Sequence, residues 1–343
     1  MITRLQATRQ KRPWQDALRD GITDPRELLD LLDLDPVLFG GDRTAHREFR
    51  LRVPRGFVAR MRRRDPNDPL LLQVLPQASE CQTVPGFVED PVGDAAALSA
   101  PGLLQKYQGR ALLTVTGACA VNCRYCFRRH FPYAGAGADP VVSPQALAQL
   151  RADRSLSEII LSGGDPLVID DPRLADLVDR LAQIPHLRRL RIHTRLPIVL
   201  PERVDEALLD WLGRTRLSPV VVVHANHARE LDIEVRRALA RLRSAGVTLL
   251  NQSVLLCGIN DSVPALADLS ERLFEAGVLP YYLHMLDRVR GAAHFEVTEA
   301  RAAKLIDRLA AQLPGYLVPR LVREIPGAPG KTPVPSPLSA GAS

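Results

Sequence analysis

The sequence predicts an α/β protein built on an open, partial (β/α)6 barrel. Short apolar runs rich in β-branched residues recur about 30 residues apart, at 111–117, 158–163, 190–194, 219–225, 247–255 and 278–286. Amphipathic stretches lie between them, at 171–184, 203–214, 230–246 and 262–277. Strands that alternate with helices form parallel βα units, and crossovers of one hand curl such a sheet toward a barrel. Six units fall short of the eight in a closed barrel, so we expect a gap that admits a large substrate.

The chain divides into three parts by composition. Residues 1–100 are rich in Pro, Arg and Asp, and their one clear helical pattern begins with Asp24 as N-cap and Pro25 at the first helical position. We predict a mainly helical pre-domain there. Residues 101–312 carry the barrel. Residues 313–343 form a C-terminal segment whose end we expect to be disordered.

Composition and charge limit the class of protein. With 46% hydrophobic and 24% charged residues, the chain is neither a disordered nor a membrane protein. Its N-terminus has no apolar signal-peptide core, and its five cysteines show no disulfide pattern, so we expect a cytoplasmic protein without a membrane partner. The net charge of +6 comes from scattered arginines, which we interpret as solvated charge rather than a nucleic-acid surface. An iron–sulfur nucleic-acid-binding module is the alternative class.

Three of the five cysteines follow the first barrel strand in the spacing C-x3-C-x2-C: Cys119, Cys123 and Cys126. Ligands of such sheets gather where strands end and loops begin. Three thiolates can hold three irons of a 4Fe–4S cluster and leave the fourth iron open, whereas structural zinc takes four ligands. The alternative is a zinc site that takes its fourth ligand from elsewhere in the chain: Cys81, Cys257 or His130.

The cysteine spacing, with the aromatic Tyr125 before the last cysteine, resembles the signature of the radical S-adenosylmethionine (SAM) superfamily. That resemblance implies a partial barrel in which a 4Fe–4S cluster cleaves SAM reductively to a 5′-deoxyadenosyl radical. The run LSGGDPL ends the second strand, and the resemblance assigns Gly163, Gly164 and Asp165 to the methionyl ammonium of SAM. We expect the two glycines to let a ligand approach the backbone closely.

Residues 100–335 resemble, more narrowly, the lysine 2,3-aminomutase family. The blocks CRYCFRRHFP, HANHARE, LLNQSVLLCGIND and YYLHMLDRVRGAAHF carry the resemblance. It implies an isomerase that converts L-α-lysine to β-lysine and takes its electron from a donor such as flavodoxin or ferredoxin. The chain is most similar to the short branch, which implies a link to translation elongation factor P and its ligase. The alternatives are another cationic amino acid as substrate, or free lysine for other metabolism.

The same family uses pyridoxal 5′-phosphate (PLP), which requires a lysine that binds it covalently. Lys331, in the Pro-Gly-rich run IPGAPGKTPVP, matches the PLP loop of the family. A Walker A phosphate loop would need a glycine where the chain has Ile325, and on composition alone a flexible tail is the alternative. The resemblance also places Lys106, Tyr107 and Arg110 near PLP.

The family resemblance assigns the two ends of the substrate to opposite charges. Arg128 would bind the substrate carboxylate, and Asp287 with Glu324 would bind the ε-ammonium. Glu324 stands where the longer members carry an aspartate, so the charge is kept and the reach changes. An acidic pair favours a cationic side chain over glutamate as substrate. The resemblance implies further SAM contacts at Gln252, His224 and Asn226.

A C-terminal cysteine cluster distinguishes the longer members of the family. It binds an interfacial zinc, which a cysteine after a Gly-x-Asn-Asp turn completes. Here the turn GIND is followed by Ser262, and Cys257 is the last cysteine in the chain. We therefore predict no structural zinc, which leaves the oligomeric state open.

Overall fold

A computed structural model describes residues 13–36, 44–139 and 142–335. The end of the C-terminal segment, where we predict disorder, lies outside these residues. A single mixed sheet runs through the described chain, and its strands are β1 (Leu98–Ala100), β2 (Leu103–Tyr107), β3 (Arg110–Thr116), β4 (Glu158–Gly163), β5 (Arg189–Thr194), β6 (Ser218–Val223), β7 (Thr248–Val254), β8 (Leu279–His284), β9 (Arg320–Arg323) and β10 (Thr332–Pro333).

Among the described residues, four short helices precede the sheet, and the other helices, all but one of nine or more residues, follow its parallel strands. They are α1 (Trp14–Arg19), α2 (Pro25–Leu31), α3 (Thr44–Glu48), α4 (Arg55–Val58), α5 (Pro144–Ala152), α6 (Asp171–Ala182), α7 (Leu196–Val199), α8 (Glu206–Arg214), α9 (Ile233–Ser244), α10 (Val263–Glu275) and α11 (Glu299–Ala310). Among these helices, none is long and apolar enough to cross a membrane.

The strands lie in sequence order from β1 to β10, so the sheet stays open between its two edges. Strands β3 to β9 pair in parallel, while β1 and β2 at one edge and β10 at the other pair antiparallel. The six predicted strands all form, as β3 to β8, and the predicted class of a partial α/β barrel is confirmed. The sequence did not predict β9, which adds one more parallel strand from the C-terminal segment.

Burial of apolar side chains on both faces of the sheet explains why these strands form a barrel wall. Every residue of β4 is buried, as expected for a parallel strand covered by helices on one face and by barrel contents on the other. The amphipathic α6, α8 and α9 pack their apolar stripes into the same core. Trp14, Leu28 and Phe57 from the short N-terminal helices join that core as well. The N-terminal region therefore packs as part of the barrel assembly.

The helix predicted after Asp24 forms as α2. The Asp24 side chain accepts a hydrogen bond from the Arg26 N–H at 2.9 Å, and Pro25 occupies the first turn. The parallel strands place their carboxyl ends, and the loops that follow, at one edge of the sheet. That edge holds the cavity described next.

Candidate active site

A cavity of about 550 Å³ opens at the carboxyl ends of the barrel strands. It gathers side chains from the loops after β3 and β4, from the strands β5 to β8 and from the C-terminal hairpin. The predicted site residues that line it are Lys106, Tyr107, Arg110, Cys119, Cys123, Tyr125, Cys126, Arg128, Gly163, Gly164, Asp165, Gln252, Asp287, Glu324 and Lys331. His224 lines it too, whereas Asn226 lies fully buried behind the wall.

The loop after β3 carries the three cysteines, and the N-terminal region holds this loop in place. The backbone N–H of Asn122 donates to the Arg52 carbonyl at 3.0 Å, and that of Arg124 donates to the Gln73 carbonyl at 2.9 Å. Within the loop, the Cys126 N–H donates to the Cys123 carbonyl at 3.0 Å. The N-terminal region therefore helps to fix the backbone of the cysteine loop.

The three cysteine thiols are free and only partly exposed. Burial, and then the neighbouring Cys126, raise the pKa of the Cys119 thiol well above its usual value. Burial, followed by the neighbouring Cys123, raises the pKa of Cys126 to about 11. Thiolates in such a place need a cation to stabilise them, and a coordinated metal deprotonates a thiol outright.

A 4Fe–4S cluster fits this donor set. Among the described residues, no group of three or more His, Cys, Asp and Glu side chains is placed to hold one metal ion. A 4Fe–4S cluster does not need three side chains around one metal ion, because each thiolate binds a different iron. Three soft thiolate donors on one loop, facing a cavity, are the arrangement that a cluster with one open iron requires.

The two glycines at the end of β4 are required by contact with the cysteine loop. A Cβ atom on Gly163 would lie 2.4 Å from the Thr116 carbonyl oxygen, and one on Gly164 would lie 2.3 Å from the Ala118 carbonyl oxygen. Gly163 also has a φ of +119°, which side-chain-bearing residues rarely adopt. The glycines thus let two backbones pack together, in addition to the ligand approach that we expected from the sequence.

The Asp165 side chain is hydrogen-bonded to backbone and side-chain groups at the end of β5 and to the Leu167 N–H. Its Oδ1 accepts hydrogen bonds from Thr194 Oγ1 at 2.6 Å and the Leu167 N–H at 3.1 Å. Its Oδ2 accepts from the backbone N–H groups of Arg195 at 2.7 Å and Leu196 at 3.1 Å. A carboxylate offers about four lone pairs, and these four donors use them. The Asp165 carboxylate therefore ties the ends of β4 and β5 together.

A polar network supports the aromatic residue before the third cysteine. The Tyr125 hydroxyl lies 2.8 Å from His224 Nε2 and accepts a hydrogen bond from Asn226 Nδ2 at 2.7 Å. Asn226 also donates to Gln73 Oε1 at 3.0 Å and accepts from the Val254 N–H at 2.8 Å. Burial lowers the pKa of His224 to about 3, so its ring is neutral at physiological pH. Asn226 is hydrogen-bonded to protein groups and shapes the wall behind the cavity.

The C-terminal hairpin brings Glu324 and Lys331 together. Thr332 of β10 pairs with Arg323 of β9. The next residues toward the turn, Lys331 and Glu324, therefore lie opposite each other across the hairpin. The Lys331 Nζ forms an ion pair with Glu324 Oε2, and the Tyr107 hydroxyl donates to Glu324 Oε1 at 2.6 Å. Burial would raise the pKa of Glu324, but its contacts with Lys331 and Tyr107 hold that pKa below the usual value. The sequence showed the two charges seven residues apart without showing that they meet.

Asp94 is a site residue that the sequence did not reveal. Its Oδ1 lies 2.5 Å from Lys106 Nζ, and its Oδ2 accepts a hydrogen bond from Arg128 Nε at 2.6 Å. Burial would raise the pKa of Asp94, but the two cations lower it below the usual value. Lys106 Nζ also lies 3.6 Å from Glu324 Oε1. A continuous row of ion pairs therefore connects Arg128 to Lys331. The sequence did not reveal Asp94 because it lies in an Asp-rich stretch that matches no motif.

Asp287 differs from the other carboxylates of the cavity. Among the described residues, no Lys, Arg or His nitrogen lies within 4 Å of its side-chain oxygens. Burial raises its pKa to about 7, although Lys331 lowers it and Glu324 raises it further. A desolvated carboxylate that faces a cavity and has no cation within 4 Å is suited to pair with a positively charged group.

Two histidines in the barrel wall were also missed by the sequence analysis. Nε2 of His193 on β5 and Nε2 of His284 on β8 are buried and have no hydrogen-bond partner among the described residues. Burial lowers the pKa of both rings well below the usual value, so both are neutral. The only signal in the sequence was a histidine in each of two otherwise apolar strand runs. Both rings line the cavity and can hydrogen-bond to a group bound there.

The open sheet, with parallel strands β3 to β9 and three thiols after β3, fits the radical SAM class that the sequence predicted. The family model of the radical SAM superfamily matches residues 113–269. The chain is also 18% identical to the solved structure of a radical SAM methyltransferase from Sphaerobacter thermophilus, with a TM-score of 0.44 over 64% of this chain and 68% of that chain.

Similar proteins of known function identify the family within this superfamily. It is 51% identical to the L-lysine 2,3-aminomutase of Escherichia coli (strain K12), over 95% of this chain and 96% of that protein. It is 45% identical to the L-lysine 2,3-aminomutase of Haemophilus influenzae, over 94% of this chain and 96% of that protein. The chain therefore belongs to the lysine 2,3-aminomutase family and is an enzyme of the isomerase class. The resemblance predicted from the motifs is confirmed, and family membership leaves the nucleic-acid-binding alternative without support.

Proposed function

We propose that this enzyme converts L-α-lysine to β-lysine by a 1,2-amino migration that depends on a 4Fe–4S cluster, SAM and PLP. The observation that carries the substrate proposal is the Asp287 carboxylate, which is desolvated, faces the cavity and has no cation within 4 Å among the described residues. Glu324 adds a second negative charge close enough to Asp287 to raise the pKa of its carboxyl. Such an acidic pair recognises an ammonium and disfavours glutamate.

The residues present fit all three groups. When bound, the cluster and SAM supply a 5′-deoxyadenosyl radical, and PLP supplies an aldehyde that carries the migrating nitrogen. Cys119, Cys123 and Cys126 would hold the cluster, and Tyr125, Gln252 and the Gly163 and Gly164 backbone would contact SAM. Lys331 would hold PLP covalently, and the neighbouring cations and hydroxyl suit its phosphate: Lys106, Arg110 and Tyr107.

The remaining residues hold the substrate in one orientation. Arg128 would bind the substrate carboxylate, and its guanidinium is kept in place by Asp94 and by Ser162 Oγ, which accepts a hydrogen bond from Arg128 Nη1 at 3.0 Å. Asp287 and Glu324 would bind the ε-ammonium. A radical that abstracts one hydrogen among several equivalent methylenes depends on such positioning for most of its selectivity.

Asp287→Asn is expected to lower kcat/KM for lysine by a factor on the order of a hundred to a thousand. Removing one partner of a desolvated charge pair costs about 3–5 kcal/mol, which corresponds to that factor. Norleucine, which lacks the ε-ammonium, should be equally poor for the native enzyme. Steady-state rates, with iron and PLP contents, provide the measurement, and both contents should be unchanged. Glu89→Gln, at an exposed residue paired with Arg290, is the control. Similar rates on norleucine and lysine would contradict recognition of the cation.

The KM for lysine is expected to fall as the pH rises through about 7. Below the Asp287 pKa of about 7, the carboxyl is protonated and cannot pair with an ammonium. The ε-ammonium itself, with a pKa of about 10.4, stays charged across this range. Each pH unit below the Asp287 pKa therefore weakens lysine binding by up to about tenfold. The Asp287→Asn enzyme should show no such slope, and a native KM that is flat or rises from about pH 5.5 to 8 would refute the assignment.

We further propose that the β-lysine product is used to modify translation elongation factor P. The chain spans 96% of the Escherichia coli and Haemophilus influenzae relatives but 77% of the longer Clostridium subterminale L-lysine 2,3-aminomutase. This agreement in length supports assignment to the short branch, for which β-lysine is a substrate of the ligase that modifies elongation factor P. Flavodoxin or ferredoxin would supply the electron. Mass spectrometry of elongation factor P from cells with and without this enzyme would test the destination.

A further inference from the structure

A buried arginine that belongs to none of the sequence motifs contacts one of the three cysteine thiols. Arg195 follows the last residue of β5, and its Nη1 donates a hydrogen bond to Cys123 Sγ at 2.8 Å. Only 6% of the arginine is exposed. By contrast, the Cys126 thiol receives a hydrogen bond from a backbone N–H, that of Arg128. Cys123 is therefore the thiol with a charged donor.

The other end of the guanidinium is held by partners that are themselves buried. Arg195 Nη2 donates to Glu230 Oε2 at 2.9 Å and to Gln73 Oε1 at 2.6 Å. Glu230 is fully buried, and its Oε1 accepts from the Asn226 N–H at 2.9 Å and the His227 N–H at 3.0 Å. These contacts fix one edge of the guanidinium, so the edge with Nη1 keeps its direction toward the sulfur.

Two aromatic rings and the backbone fix the rest of the side chain. The Arg195 Cζ lies 5.5 Å from the centre of the Phe57 ring and 5.8 Å from that of the Tyr125 ring. Its backbone N–H donates to Asp165, as described above. A guanidinium stays protonated in proteins, so the thiol faces a permanent positive charge in a water-poor place. That charge is only partly offset by Glu230, because one Nη group points away from the carboxylate and toward the sulfur.

Hydrogen bonds and charges near the sulfur ligands set the reduction potential of an iron–sulfur cluster. Reduction adds one electron and makes the cluster with its thiolates more negative. A fixed N–H donor with a positive charge therefore stabilises the reduced form more than the oxidised form. In a catalytic cluster that must be reduced before it can act, this contact favours loading of the electron.

We propose that Arg195 is a positioning residue that orients the Cys123 sulfur and raises the reduction potential of the cluster. The step is a one-electron reduction of the cluster by an external reductant, in which no bond forms or breaks. The inference rests on the part of the proposed function that concerns the cluster, and it is independent of the substrate and of PLP.

An EPR-monitored redox titration of the anaerobically reconstituted full-length enzyme tests this proposal. Arg195→Gln should shift the potential to a more negative value at unchanged iron content, and Arg195→Lys, which keeps the charge, should shift it less. Glu230→Gln removes the offsetting negative charge and should shift the potential in the opposite direction. Arg203→Gln, at a fully buried arginine that pairs with Asp171, is the matched control and should leave the potential unchanged.

A role limited to folding would not move the potential in opposite directions in the two variants. A native potential in Arg195→Gln with its cluster bound would overturn the proposal. If Arg195→Gln loses its iron, Glu230→Gln decides, because an unchanged or more negative potential in that variant also overturns the proposal. Failure of the native enzyme to bind a cluster would instead refute the proposed function.

Discussion

Replacement of Lys331 by alanine is expected to reduce isomerisation to background while the iron–sulfur site still forms. Lys331 is the lysine that the C-terminal hairpin places in the cavity, beside Glu324. The other lysine of the cavity wall, Lys106, lies on β2, where its Nζ pairs with Asp94 and donates to the Val92 carbonyl at 2.8 Å. Covalent binding of PLP requires a free amine, so the variant should lose the visible absorbance of bound PLP. PLP absorbance after dialysis, iron content and product formation are the measurements.

Lys304→Ala is the matched control for this experiment. Lys304 lies on α11, outside the cavity, and its removal should change neither the PLP content nor the rate. Normal turnover by Lys331→Ala would refute the assignment of the PLP lysine. Loss of iron in the same variant would show that the cysteine loop and the hairpin do not act as separate halves of the site.

Alanine at Cys119, Cys123 or Cys126 is expected to abolish cluster binding and SAM cleavage. The native enzyme should bind about four irons after anaerobic reconstitution, because three thiolates hold one 4Fe–4S cluster. Iron analysis and the release of 5′-deoxyadenosine provide the measurements. Cys81→Ala and Cys257→Ala are the controls, since neither residue lines the cavity, and both variants should keep the native iron content. Loss of the cluster in either control would mean that the three-ligand assignment is wrong.

Local patterns predicted the barrel strands, and the motifs predicted many of the residues that line the cavity. Alternation of β-branched runs with amphipathic stretches gave the six strands β3 to β8, because each pattern reflects burial against its neighbours along the sheet. The predicted site residues other than Asn226 line one cavity, since the carboxyl ends of parallel strands meet at one edge. Strand β9 was missed because its four residues form a strand by pairing with β8 and β10, and so few residues carry little local pattern.

Contacts between distant segments account for what the sequence did not reveal. Asp94 lies in an irregular stretch of the N-terminal region, and its role comes from meeting Lys106 and Arg128 in the folded chain. The motif at the end of β4 indicated the importance of Asp165 but not its partners at the end of β5 and the start of α7. Arg195 likewise has no local pattern, and its function depends on the distance to Cys123 in space.

The most direct test of the proposed reaction is to follow isotopically labelled L-lysine with the anaerobically reconstituted enzyme, SAM, PLP and a strong reductant. Nuclear magnetic resonance of the labelled carbon chain distinguishes an amino group on C2 from one on C3. We expect the signals of β-lysine to appear with native enzyme, and to be absent with Lys331→Ala and with any of the three cysteine variants. Release of 5′-deoxyadenosine without β-lysine would contradict the account, because SAM would then be cleaved for a different reaction.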